Sequence, residues 1–301
     1  MEIISVIPRG YCQGVVRAIA IAKETVLNNP NTKVSMLGMI VHNQYVVKAL
    51  EELGIHFIEE SGKTRLELLD QINDGIVIFT AHGISDEVKE KAYEKGLTVV
   101  DATCKDVIKT HQLVKEHCAT GGDVLYIGKK GHPESEGTVS LNDRVHLITS
   151  SRDVANFPHL NHVLITTQTT LSVLDTKDIV AECLKYYPDA IVATEICNAT
   201  RIRQEGVMKL KDIDLLIVVG DKRSNNSAQL REIGRKSGVK EAVLIDSIED
   251  LTEDMIKNQN RVAVTSGSST PNELTSQVIT YLKQYAIDGI WNLPKAANLN
   301  L

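Results

Sequence analysis

Apolar residues in this chain gather into short runs of about four, separated by longer stretches where they recur at helical spacing. Runs at 3–7, 97–100 and 190–193 read as strands, and each leads through a turn into a helix-like stretch, at 15–27, 107–118 and 201–211. After each helix a second strand, at 34–37, 124–127 or 215–219, runs toward polar residues: His42, His132, or the cluster Ser224, Asn225 and Asn226. A further helix and strand follow. Another strand, at 76–79, 163–165 or 262–264, then runs toward His82, toward Gln168 and Thr169, or toward Ser266 to Ser269.

Strands alternating with helices predict parallel sheets covered on both faces. The expected fold is α/β, built from three similar α/β domains in a pseudo-threefold arrangement at 1–97, 98–191 and 192–287, with a tail at 288–301. In such sheets ligands sit beyond the carboxyl ends of the strands. The polar tips of three units are therefore expected to face one central site.

Five cysteines sharpen this picture. Cys12 and Cys104 are 92 residues apart and Cys104 and Cys197 are 93 apart, each at a predicted strand-to-helix turn. There the positive end of a helix favours thiolate, the form that binds metal. Cys118 and Cys183 sit inside amphipathic helix patterns and read as small core hydrophobes. Three thiolates suit a zinc ion with one open position, or a four-iron cluster with one iron lacking a protein ligand; spacing leaves both open.

His42, His82 and His132, placed alike beyond apolar strands, read as convergent donors to a polyanion. Serine and asparagine clusters such as 224–226 and 266–269 are most often turns and helix caps, and capping is compatible with anion binding at a helix start. Glu134 is the only carboxylate within such a tip and is a candidate proton donor.

Composition limits the alternatives. At 301 residues, 43% apolar and 24% charged, the chain has the makeup of an ordinary soluble multidomain protein. A net charge of −6 argues against a nucleic-acid-binding face. No run approaches the length of a membrane span, the first residues lack a secretory pattern, and the odd, scattered cysteines are unlike a disulfide framework. A cytoplasmic location is expected. No G-x-G-x-x-G follows a strand, and the sequence at 61–64 has Phe57 where a P-loop needs glycine, so nucleotide and nicotinamide are not expected.

The chain resembles the LytB family of bacterial 4-hydroxy-3-methylbut-2-enyl diphosphate reductases over about residues 1–285. The likeness rests on Gly10-Tyr11-Cys12-Gln13-Gly14-Val15, Ala81-His82-Gly83, Asp101-Ala102-Thr103-Cys104, Gly131-His132-Pro133-Glu134, Thr167-Gln168-Thr169-Thr170, and Ile196-Cys197-Asn198-Ala199-Thr200-Arg201 with Gln204. The resemblance implies one [4Fe-4S] cluster per chain, held by Cys12, Cys104 and Cys197, and reductive loss of the hydroxyl from an allylic diphosphate. It further implies that His42, His82 and His132, with Ser224, Asn226 and Ser269, hold the diphosphate, and that Glu134 acts with Thr169 to deliver protons. Asn225 stands where the family commonly has serine and keeps a hydrogen-bonding role. Lys105 stands where proline is common, which bears on the electron donor's surface. That donor is expected to be a separate ferredoxin or flavodoxin, and no nucleic-acid or membrane partner is expected. A zinc-dependent phosphohydrolase and a noncatalytic sensor of an anion are the rival readings.

Overall fold

The computed structural model describes residues 1–299. Its first third contains β1 (Glu2–Ser5), α1 (Gln13–Asn28), β2 (Val34–Leu37), α2 (Gln44–Glu52), β3 (Ile55–Ile58), α3 (Arg65–Leu69), β4 (Ile76–Phe79) and α4 (Asp86–Glu94). The chain continues through β5 (Thr98–Asp101), α5 (Lys105–Ala119), β6 (Val124–Ile127), α6 (Pro133–Val139), β7 (Val145–Ile148), β8 (Leu164–Thr167) and α7 (Val173–Tyr186). The last part comprises β9 (Ile191–Ala193), α8 (Asn198–Met208), β10 (Leu215–Val219), α9 (Asn225–Lys236), β11 (Glu241–Ile245), α10 (Glu253–Ile256), β12 (Arg261–Ser266) and α11 (Asn272–Asp288).

Three four-stranded sheets result, with orders β3-β2-β4-β5, β7-β6-β8-β9 and β11-β10-β12-β1. Every pairing in them is parallel. The same order occurs three times, so the expected α/β repeat is present, with one feature that period alone did not convey. The strand leading to each cysteine is the outer strand of a sheet whose other three strands belong to the preceding repeat, which for β1 is the last one. β5, before Cys104, joins β2, β3 and β4; β9, before Cys197, joins β6, β7 and β8; β1, before Cys12, joins β10, β11 and β12.

Continuous apolar strands are what a sheet covered on both faces requires, because successive side chains point to opposite sides. Leu215, Ile217 and Val219 pack with Leu274, Val278 and Leu282 of α11, whereas Leu216 and Val218 pack with Leu230 and Ile233 of α9. Leu125 and Ile127 enter one core while Val124 and Tyr126 enter another. Each such side chain contributes about 1.5–3 kcal/mol when fully buried. Cys118 and Cys183 lie in these cores, as expected of small hydrophobes.

Two compact units are formed. One contains Met1–Gln13, His42–Ala49 and the chain from Asn198 onward, and the other contains Gly14–Val41 and Leu50–Cys197. The tail is ordered against α11 in the first unit. Trp291 stacks edgewise on Tyr281 and Tyr285 with ring centroids 5.5 and 5.3 Å away. The Gln277 amide donates to Lys295 O (2.8 Å) and accepts from Ala297 N (3.0 Å). The final two residues of the 288–301 tail lie outside the described ones. No described helix is long and apolar enough to cross a membrane.

Candidate active site

Each of Cys12, Cys104 and Cys197 immediately precedes a helix, α1, α5 or α8. None of the three is in a disulfide, and all are partly exposed, in contrast to buried Cys118 and Cys183. Burial raises the thiol pKa of Cys118 and lifts that of Cys183 to about 11, so neither offers a ready thiolate. A thiol at a helix start is a soft donor of the kind that iron–sulfur centres use.

The strand offset determines how each cysteine is held. Because the strand before each cysteine pairs with the strand before a polar tip, the ladder runs on past the sheet. Cys104 N donates to Ala81 O at 3.0 Å, beside His82, and Cys197 N donates to Thr169 O at 3.1 Å. Cys12 N donates to Ser268 O at 3.0 Å, beside Ser269. Gly10 N also donates to Ser266 Oγ at 2.8 Å. Gly10 lies at φ +74°, and a Cβ there would collide with the Asn272 side chain, so only glycine fits this turn.

In the second unit, His132 caps α6. Its Nδ1 accepts from Glu134 N at 3.2 Å, which leaves Nε2 as the N–H donor of the neutral ring. His82 lies beside it, ring centroids 5.6 Å apart and nearly perpendicular. Glu134 is 2% exposed. Its Oε1 accepts from Thr169 N at 2.7 Å, and its Oε2 lies 3.0 Å from the Thr169 hydroxyl. Burial pushes the Glu134 pKa up to about 7; the Thr169 bonds oppose this and nearby Asp106 adds to it. The carboxyl is thus poised to hold or release a proton near neutrality.

Sequence reading quoted Gln168 without giving it a task. It is fully buried, and its Oε1 accepts from Lys129 N (3.0 Å) and Ser135 Oγ (3.1 Å) while its Nε2 donates to Thr170 Oγ1 (3.0 Å). It ties the loop bearing His132 to the loop bearing Thr169. A glutamine after an apolar strand is a weak signal, because the loops it joins lie 39 residues apart in sequence.

In the first unit, Ser224 caps α9, accepting from Ser227 N, and its Oγ lies 3.1 Å from Ser227 Oγ and 3.3 Å from Ser269 Oγ. Asn226 Nδ2 donates to Ser268 Oγ at 3.1 Å, and Ser269 Oγ donates to His42 O at 3.2 Å. Asn225 is the first residue of α9 and is buried. Ser224, Asn226, Ser269 and the His42 backbone are therefore linked in one polar cluster. Asp221, not singled out from the sequence, holds its edge, accepting from Gln44 N (3.2 Å) at the start of α2 and from the Arg223 guanidinium (2.7 Å).

Residues 3–283 match the model of the LytB protein family. The chain is 46% identical over 289 residues, 95% of its length and 91% of the relative's, to the 4-hydroxy-3-methylbut-2-enyl diphosphate reductase of Geobacillus kaustophilus. It is 45% identical over 294 residues, 96% of its length and 99% of the relative's, to that of Symbiobacterium thermophilum. A solved structure of the E-1-hydroxy-2-methyl-but-2-enyl-4-diphosphate reductase from Plasmodium falciparum is similar at TM-score 0.87 and 33% identity, covering 99% of this chain and 95% of that one. A second, of (E)-4-hydroxy-3-methyl-but-2-enyl diphosphate reductase, the terminal enzyme of the non-mevalonate pathway, is similar at TM-score 0.65 and 32% identity, covering 94% and 100%.

Proposed function

The chain belongs to the LytB protein family, and from that premise we propose that it reduces (E)-4-hydroxy-3-methylbut-2-enyl diphosphate to isopentenyl and dimethylallyl diphosphate, the last step of the non-mevalonate isoprenoid route. The reaction takes up two electrons and two protons, breaks the allylic C–O bond, forms a C–H bond and releases water. The observation that carries the reading is the recurring bond from each cysteine N–H to a polar tip, at Ser268, Ala81 and Thr169. It supports a common site to which each repeat, 1–97, 98–191 and 192–287, supplies one sulfur.

In this reading Cys12, Cys104 and Cys197 hold one [4Fe-4S] cluster per chain. When bound, the cluster supplies electrons and a Lewis-acidic iron without a protein ligand. The protein's own groups do the rest. His42, His82 and His132, with Ser224, Asn226 and Ser269 and with Asn225 as a further donor, hold the diphosphate by N–H and O–H bonds. The Nε2–H of neutral His132 points its donor capacity away from the cap.

Glu134 is the proton store. Its Oε1 is taken by the Thr169 N–H, so in the acid form the proton sits on Oε2, beside the Thr169 hydroxyl. Thr169 then passes a proton outward while orienting the carboxyl. Electrons come from a separate ferredoxin or flavodoxin, because the chain carries no flavin or nicotinamide motif. A cytoplasmic setting is supported by five cysteines outside disulfides, which suit a reducing compartment.

Anaerobic purification with iron and sulfide quantified, followed by turnover of the hydroxymethylbutenyl diphosphate with dithionite and a viologen, tests the reading. Iron, sulfide and the two isoprenyl products together are expected. Zinc in place of iron, or a loaded cluster that leaves this substrate intact, would overturn it.

A further inference from the structure

Each helix that starts after a cysteine carries a basic residue five or six positions on: Arg17 on α1, Lys109 on α5 and Arg203 on α8. Each of the three reaches the turn of a different cysteine. Arg17 Nη1 donates to Thr103 O at 2.8 Å, one residue before Cys104. Lys109 Nζ lies 2.9 Å from Glu195 Oε2, two residues before Cys197, and Glu195 N is in turn held by Thr167 Oγ1 at 2.9 Å. Arg203 Nη2 donates to Gly10 O at 2.7 Å, two residues before Cys12, and its Nη1 donates to Ala199 O at 2.7 Å.

The order is cyclic. The helix after Cys12 grips the turn of Cys104, the helix after Cys104 grips that of Cys197, and the helix after Cys197 grips that of Cys12. We infer that Arg17, Lys109 and Arg203 are positioning residues that fix the three cysteine turns for the metal centre. The inference rests on the reading of those cysteines as its ligands.

The three contacts differ in strength for physical reasons. Arg203 is 4% exposed and uses both arms of its fork on main-chain carbonyls, so its loss leaves the Gly10 carbonyl of a buried bond and the Ala199 carbonyl of a part-buried one without this donor. Arg17 is half-buried and makes one such bond. Lys109 is a surface ion pair with 70% of its side chain exposed, the class that contributes least. Partners that orient metal ligands typically change metal affinity 10- to 100-fold when removed. The expected ranking is Arg203 first, Arg17 second, Lys109 last.

The test loads the full-length protein anaerobically and follows iron release to a chelator, beside thermal melting of the iron-free protein. Arg203→Gln and Arg17→Gln are expected to lose iron about tenfold faster than the parent, and Lys109→Gln less than about twofold faster. Arg17→Lys, which keeps one donor, is expected to restore the slow rate, whereas Arg203→Lys, which loses the fork, is not. Iron release at the parent's rate from both arginine-to-glutamine variants overturns the inference, as does faster release that merely follows a lower melting temperature of the iron-free chain. If Arg203→Gln does not fold, Arg17→Gln and its lysine rescue decide. Cys12→Ser, Cys104→Ser and Cys197→Ser made in parallel separate the two readings: if they keep their iron, the ligand assignment fails and this inference with it. If they lose iron while the arginine variants behave as the parent, only the clamp fails.

Discussion

Glu134, the proposed proton store, is a buried carboxyl whose surroundings shift its titration. Burial is the main cause of its raised pKa, Asp106 adds to it, and the two Thr169 bonds oppose it; Tyr126 and His132 are the other titratable neighbours. Because its pKa is about 7 in the fold against an ordinary glutamate value of 4.5, the folded chain alone holds this proton between those values. Folding therefore takes up a proton there, and this contribution to stability falls as pH rises through the window, then levels above it. Glu134→Gln removes the slope, so the urea midpoint of the variant relative to the parent should be higher at about pH 8 than at about pH 5. Turnover by the parent should decline above about pH 7 as the acid form is lost, and Glu134→Gln should turn over about 10²- to 10⁴-fold slower. The residue was legible in the sequence because it is the one carboxylate embedded in a polar strand tip, two residues after His132. Its pKa was not, since Thr169 reaches it from 35 residues away. Gln168 makes the complementary case. Gln168→Leu strands the buried Ser135 Oγ and removes the acceptor of the part-buried Lys129 N, and should cost about 1–3 kcal/mol in denaturant unfolding.

Among the elements, strand positions were read closely wherever apolar runs are flanked by polar residues: 34–37, 76–79, 124–127 and 215–219 coincide with β2, β4, β6 and β10. Helix starts were read late, because α1, α5 and α8 each begin with polar residues directly after the cysteine, ahead of the first apolar periodic position. The third helix stops at Met208 rather than 211, because the chain tightens, with Leu210 N bonding Val207 O, and Asp212 takes a left-handed φ of 55°. The tail gave no periodic signal, since its anchoring depends on side chains of α11: Gln277 acts as a surrogate peptide group, and two tyrosines receive Trp291. Trp291→Ala should lower stability by about 1–3 kcal/mol, read as a drop of several degrees in melting temperature. Gln277→Ala should do the same to a smaller extent, about 1 kcal/mol.

For the whole molecule, constant cysteine spacing conveyed the threefold repeat, while the exchange of outer strands was hidden because period does not record pairing partners. β1 shows the consequence. Among the described residues its strand pairing is with β12 alone, with Glu2 opposite Arg261 and Ser5 opposite Val264. Deleting residues 1–5 would bare the edge of β12 and remove the ladder that sets the Cys12 turn. The expected outcome is loss of the native fold in the first unit, seen as aggregation and early proteolysis of the chain beyond Asn198, with residues 50–197 more resistant.

That pairing also imposes a timetable on biosynthesis. The glycine turn before Cys12 is held by Ser266, a residue translated 256 positions later. At ordinary elongation rates of about 5–20 residues per second, the leading segment waits roughly 13–50 s on the ribosome before its partner strand emerges. Cys104 faces no comparable delay, because Ala81, which receives its N–H, has already been made. Nascent chains arrested before Arg261 should therefore leave residues 1–13 open to protease while protecting the sheet that ends in β5. The first cysteine turn synthesised is the last to be seated, so a half-made chain cannot present all three cysteine turns in place.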